Sequence, residues 1–146
     1  MIANSKWTST EPNPDIFLGQ SQSGHTIRFD ASPTHVEGPS PMEAVLAALC
    51  ACTSVDVVSI LRKKRQPLAS LVVSAVAEQA PEPPRFFNKI RLTYAVKAEP
   101  GVQLSRKAVE DAITLSKDKY CSVSAMLETK AEIDFIAEFE DGEPLP

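Results

Sequence analysis

One stretch constrains this chain more than any other: residues 38–65, GPSPMEAVLAALCACTSVDVVSILRKKR. It reads as a long, largely apolar helix over residues 41–65, with a Pro-rich entry and a basic exit. Ser40 suits the N-cap, Pro41 the first helical position, and Glu43 completes a capping box with Ser40. At the far end Arg62, Lys63, Lys64 and Arg65 complement the negative pole of the helix dipole. Gln66-Pro67 should stop the helix, because proline lacks the amide proton that a further turn needs. Glu43, Thr53, Ser54, Asp56 and Ser59 make the segment too polar for an expected lipid-spanning helix. A core or interface helix is the expectation. The helix is nonetheless apolar almost all round, more than one sheet face needs, which predicts a partner subunit and hence a dimer.

Short elements surround it. Residues 6–10 and 16–20 read as strands separated by the Pro12-Asn13-Pro14 turn. Ser21-Gln22-Ser23-Gly24 makes a hairpin turn into a strand over 25–30, where His25, Ile27 and Phe29 alternate with Thr26, Arg28 and Asp30. A loop holding Pro33, Gly38 and Pro39 delivers the chain to the helix. Strands over 71–79 and 87–98 follow it. In the second, Ile90, Leu92, Tyr94 and Val96 face one way while Lys89, Arg91, Thr93 and Lys97 face the other, the mark of a sheet wet on one side. Ser105 caps an amphipathic helix over 106–117, and residues 119–124 open a short further helix ending at Leu127. The last strand, 130–139, alternates with Ala131, Ile133, Phe135, Ala137 and Phe139 inward, and the acidic, proline-rich tail 141–146 is expected to be loose. With no repeat and no break, the expectation is a single domain over 1–146: strands and hairpin 4–30, central helix 41–65, and strands, helices and last strand 68–139. The class is α+β, with helices covering one face of an antiparallel sheet.

A chain of 146 residues can bury its own core without a disulfide scaffold. A net charge of -4, with its one basic run at a helix end, speaks against nucleic-acid and membrane partners. No apolar leader follows Met1, and an odd count of 3 cysteines fits a reducing cytoplasm. There is no Gly-rich phosphate loop, dinucleotide fingerprint or Cys-x-x-Cys pair, and His25 and His35 alone cannot build a histidine metal centre. The cysteines remain. Residues two apart on a helix point about 200° apart, so Cys50 and Cys52 neither chelate one ion nor bond to each other. Cys121 lies at the start of a helical turn, where the positive end of the dipole is expected to lower its pKa. Cys52, mid-helix, needs a nearby cation for the same effect. From the residues alone, both inert packing and a working thiol pair stay open for Cys52 and Cys121.

The segment SPMEAVLAALCAC, residues 40–52, resembles the cysteine helix of the OsmC/Ohr superfamily, whose members include organic hydroperoxide reductases. KYCSVS, residues 119–124, resembles that family's second cysteine motif, usually Cys-Pro-x-Ser. The run CTSVDVVSIL, residues 52–61, is similar to the YhfA-like branch, and the order of elements matches over nearly the whole chain. The resemblance implies an OsmC-like α+β fold, with antiparallel sheets wrapped around the cysteine-bearing helix in an intertwined homodimer. It also implies a thiol-dependent peroxidase acting on organic hydroperoxides or hydrogen peroxide in oxidative-stress defence. Carried over by position, Cys52 would attack the peroxide and become a sulfenic acid, and Cys121 would resolve it to a disulfide. An external dithiol or lipoyl-type reductant would then restore both thiols, with no metal, haem or flavin cofactor.

Departures from the pattern bear on the site. The hydroperoxide reductases place a Glu directly after the Pro that opens the helix and pair it with an Arg from the N-terminal region. Here Met42 follows Pro41, and Glu43 comes one residue later. Glu43 lies about 180° around the helix from Cys52, whereas Met42 is nearer the Cys52 side, so Glu43 is expected to be only a capping residue. Arg28, the one Arg before the helix, is a candidate cation for depressing the Cys52 pKa; the competing reading is an exposed strand residue. His25 is a second candidate. Asp56, one turn after Cys52, would raise the thiol pKa or serve as a hydrogen-bonded polar residue at the helix or dimer interface. The missing Glu–Arg clamp leaves an alternative function: a dimeric module that binds a small molecule or acyl chain in an apolar pocket and catalyses no peroxide chemistry.

Overall fold

The computed structural model describes residues 1–140 and 144–146. They form two compact units, Met1–Leu46 and Ala47–Pro146. In the first, β1 (Ala3–Lys6), β2 (Ile16–Ser21) and β3 (Thr26–Asp30) make an antiparallel meander in that order. The first strand begins earlier than the expected 6–10, because Ala3 through Lys6 pair with Ser21 through Leu18, and Glu11 then turns back to hydrogen-bond the Thr8 carbonyl at 3.1 Å. Gly24, with φ of 85°, closes the β2–β3 hairpin in the left-handed region that glycine adopts without strain. Asp30 ends β3 fully buried and folds the following loop back on the strand: its carboxylate accepts the amides of Ser32 at 2.9 Å and Glu37 at 3.0 Å. Those bonds hold the Asp30 carboxyl below the usual carboxylate range, the Ser32 contribution being the largest.

Helix α1 (Pro41–Lys63) starts with the capping box read from its sequence. The Ser40 amide donates to Glu43 Oε2 at 2.7 Å, and the Glu43 amide donates to Ser40 Oγ at 3.2 Å. It stops at a Schellman turn, before proline has to act. Arg65 takes φ of 54°, its amide bonds the Arg62 carbonyl, and the Gln66 amide bonds the Leu61 carbonyl, both at 2.9 Å. Leu49, Thr53, Val57 and Leu61, spaced one turn apart, are its buried stripe. An 18-residue window of α1 has a mean hydropathy of 2.2, so even with its polar residues the helix is by length and composition apolar enough to cross a membrane, a test that core helices also pass. Those residues are mostly hydroxyls, which weigh lightly in hydropathy, and the structure gives one of them, Thr53, buried protein partners.

The second unit carries a sheet in the order β4 (Leu68–Gln79), β5 (Phe87–Ala98), β6 (Glu132–Phe139). β4 and β5 are antiparallel, but β6 runs parallel to β5, which corrects the expectation of purely antiparallel sheets. The cause is the crossover between them. The chain leaves β5 through α2 (Arg106–Leu115), a π-helical turn (Ser116–Tyr120) and α3 (Ser122–Leu127), and so re-enters the sheet from the same end. Arg91 and Asp134, register partners on β5 and β6, form a forked ion pair with a shortest contact of 2.8 Å. Ile90, Leu92, Tyr94 and Val96 of β5 are buried as their alternation requires, together with Val109, Ala112 and Ile113 of α2. The Tyr94 and Phe135 rings meet edge to face, 6.2 Å between centroids. Ser105 caps α2 by accepting from the Ala108 amide, as expected. Of the tail expected to be loose, residues 141–143 lie outside the described residues. Leu145 is tied down: its amide bonds the Leu104 carbonyl at 2.8 Å and its carbonyl accepts from Arg106 at 2.7 Å.

Candidate functional site

The π-helical turn decides where Cys121 sits. In it the Cys121 amide reaches five residues back to the Ser116 carbonyl, at 2.8 Å, where an α-helix would reach four. Cys121 then leaves the helical conformation and becomes the N-cap of α3, its sulfur accepting the Ser124 amide at 3.4 Å. The placement at a helix start agrees with the sequence reading; the expected electrostatics do not. Burial pushes the Cys121 thiol up, the bonds from Ser124 pull part of the way back, and the neighbouring Cys52 pushes it up again as a hydrogen-bonding, like-charged group. At 2% exposure, desolvation outweighs the weak dipole of a 6-residue helix.

Cys52 is half-buried on α1, one residue before Thr53 of the buried stripe. It lies near enough to Cys121 to push that thiol up, although 69 positions (121 − 52) separate them in the chain. Cys50 is also half-buried, and burial pushes its thiol up, while its backbone carbonyl accepts from Ser54 Oγ at 2.7 Å.

Beside the thiols runs a chain of polar side chains from three elements. Tyr94 of β5 bonds Thr53 of α1 at 2.8 Å, and Thr53 bonds Ser116, the first residue of the π-helical turn, at 2.9 Å. Ser116 in turn donates to Asp56 Oδ2, one turn of α1 beyond Cys52, at 2.9 Å. Tyr94, Thr53 and Ser116 are at most 1% exposed. Among the described residues no buried side-chain nitrogen or oxygen lacks a partner. Burial first, and then the nearby Cys121, Cys50 and Asp56, push the Tyr94 hydroxyl up to about 12, with the Thr53 bond opposing. Asp56 also lines a cavity of about 320 Å³, with Ser59, Ile60, Lys63, Leu115 and Tyr120 among its walls; Cys52 is not one of them.

The remaining candidates lie in the first unit. Arg28 is held by two carboxylates of that unit, Glu11 at 2.7 Å and Glu37 at 2.6 Å. Those bonds push its guanidinium further up. His25 is exposed on the hairpin, with Nδ1 at 3.0 Å from Ser23 Oγ, and Met42 is half-buried in the first turn of α1. Glu43 is occupied in the capping box, and that bonding to Ser40 keeps its carboxyl low.

A family model described as OsmC-like protein matches residues 33–136. The chain belongs to the OsmC-like family. It is 44% identical over 117 residues to the protein YhfA of Escherichia coli K12, covering 80% of this chain and 84% of that one. Among solved structures, a hypothetical protein from Aquifex aeolicus VF5 is similar at 27% identity and a TM-score of 0.76, over 96% of this chain and 97% of that one. An organic hydroperoxide resistance protein from Elizabethkingia anophelis shares the fold at 14% identity and a TM-score of 0.67, over 96% and 97%. The OsmC-like motifs pointed to the cysteines; Thr53 lies inside the matched run 52–61 but was given no role there, and Tyr94 and Ser116 lie outside the motifs. One signal for Thr53 was there to be read: it is the lone polar member of the Leu49–Val57–Leu61 stripe, and a buried hydroxyl needs a partner.

Proposed function

We propose that this OsmC-like protein is a thiol-dependent peroxidase in which Cys52 takes the peroxide oxygen and Cys121 resolves the product. The observation that carries the reading is that Cys52 lies near enough to the buried Cys121 to push its thiol up. In the first step the Cys52 thiolate attacks a hydroperoxide ROOH. The O–O bond breaks, the sulfur becomes a sulfenic acid, and the alkoxide leaves with a proton as ROH. In the second step Cys121 attacks the sulfenic sulfur. Its high pKa keeps it a thiol until then, and its proton leaves with the sulfenic hydroxyl as water. An external dithiol, of lipoyl or similar type, reduces the disulfide and is itself oxidised. Neighbours of this fold named as hydroperoxide resistance proteins support the same chemistry at the level of the family. We further propose that the working form is a homodimer.

Purified protein supplied with dithiothreitol or a dihydrolipoyl donor should consume an organic hydroperoxide at least about 100-fold faster than the Cys52→Ser variant. Equal rates would end the reading. The cavity beside Asp56, with Ile60 and Leu115 among its walls and Lys63 at hand, favours a second function, as a module binding an amphipathic small molecule or acyl chain. Mass spectrometry after mild peroxide treatment separates the two. Loss of two hydrogens with a Cys52–Cys121 crosslink belongs to the peroxidase, and two untouched thiols to the binder.

A further inference from the structure

The hydroxyls beside the thiols have a fixed direction. As a carboxylate Asp56 only accepts, so the Ser116 proton is committed to it, at 2.9 Å. The Ser116 oxygen then accepts from Thr53 at 2.9 Å, and Thr53 accepts from Tyr94 at 2.8 Å. One anion at the end of the chain thus orients three hydroxyl groups. Both thiols hang on the same chain through the backbone. Thr53 directly follows Cys52, and the Ser116 carbonyl that closes the π-helical turn accepts the Cys121 amide. Ser116 is therefore tied to α1 by its side chain and to Cys121 by its main chain.

We infer that Asp56, acting through Ser116 and Thr53, is a positioning residue that sets the Cys121 sulfur in register with the Cys52 sulfur for disulfide formation. The inference rests on Cys52 and Cys121 being a working pair, and it adds the group that keeps them paired. Two thiols held in register behave as if each were at high local concentration, and that concentration is measurable as an equilibrium. A hydroxyl chain that merely held the fold together would lower stability when cut and leave this equilibrium where it was.

The test is to equilibrate the full chain in mixtures of reduced and oxidised glutathione. Two thiols lose two protons and two electrons to one oxidised glutathione, giving the Cys52–Cys121 disulfide and two reduced glutathiones. The disulfide fraction is read by mass spectrometry after acid quenching and alkylation. Asp56→Ala should lower the equilibrium constant by about tenfold or more, equivalent to about 30 mV. Asp56→Asn, whose amide oxygen still accepts from Ser116, should retain most of it, and Thr53→Val, the same shape without the hydroxyl, should follow Asp56→Ala. Val109→Ala, in the buried face of α2 and outside the chain of hydroxyls, serves as the control for lost stability and should leave the constant unchanged. A wild-type constant in Asp56→Ala and Thr53→Val, or an equal fall in Val109→Ala, overturns the inference. So does a wild-type protein that forms no Cys52–Cys121 disulfide. Glutathione is the oxidant, so a protein that consumes no peroxide still gives a definite answer, and the two readings fail separately.

Discussion

At Cys121 two effects of opposite sign act on one sulfur. The amide of Ser124 at a helix start favours the thiolate, while burial and the neighbouring Cys52 favour the thiol, and burial is the largest. That outcome suits a resolving thiol better than an attacking one, because the proton is kept until a leaving hydroxyl can take it. Gly38 is a residue of another kind, whose value lies in lacking a side chain. A Cβ placed there would collide with the backbone carbonyl oxygen of Arg28. The strand carbonyl cannot step aside cheaply, since the neighbouring Asp30 amide is itself bonded to the Pro39 carbonyl at 3.1 Å. Gly38→Ala should therefore destabilise the protein by about 1–3 kcal/mol, the usual cost of forcing an extra carbon into a filled site. Chemical denaturation of wild type and variant measures it, and an unchanged midpoint would mean that the loop relaxes freely.

Helix α1 gives the next scale its prediction. Its Schellman turn places Arg65 at φ of 54°, a conformation in which a side chain costs roughly 1–2 kcal/mol and glycine almost nothing. Arg65→Gly also loosens the unfolded chain, which offsets part of the gain, so a net stabilisation of about 0.5–1 kcal/mol is expected. Thermal unfolding should show a higher midpoint, and a lower one would mean that the Arg65 side chain contributes more than its strain costs. The elements that the sequence made legible are those whose cause is local. The capping box of Ser40 and Glu43, the Ser105 cap and the alternation along β5 each depend on residues a few positions apart. What stayed hidden depends on distant partners. Thr53 meets Tyr94 and Ser116 across separations of 41 and 63 residues, and no periodicity reports that. The parallel direction of β6 and the π-helical turn were hidden for the same reason: the first is set by the path of a whole crossover, and the second carries Ser116, whose side-chain partners lie 60 and 63 residues away. For the site, the two cysteines were legible through the family motifs, but the hydroxyl chain beside them was not.

For the molecule as a whole, the uneven use of α1 carries the argument. Its buried stripe, Leu49, Thr53, Val57 and Leu61, occupies one side. Ala47, Ala48, Ala51 and Val55 are exposed, and Val55 alone keeps 70% of its surface in water. This second stripe is small and apolar, and it leads into an open groove of about 590 Å³ formed with Val58, Ser59 and Arg62. Small side chains let two helices approach closely, and an interface symmetric about a two-fold axis counts every contact twice. Burying a valine is worth at least about 1.5 kcal/mol, so a symmetric pair contributes about 3 kcal/mol, or roughly 100-fold in the dissociation constant. The proposed homodimer uses this face, and the expectation is a dimer for the wild type in sedimentation velocity at micromolar concentration. Val55→Glu, which sets two carboxylates against each other across the axis, should raise the dissociation constant by at least about 100-fold and leave a monomer. The monomer should keep its thermal unfolding transition, because Val55 is 70% exposed within its own subunit. A variant that stays dimeric would move the interface to another surface, and a wild type that sediments as a monomer would leave the apolar stripe of α1 without the second copy its composition calls for.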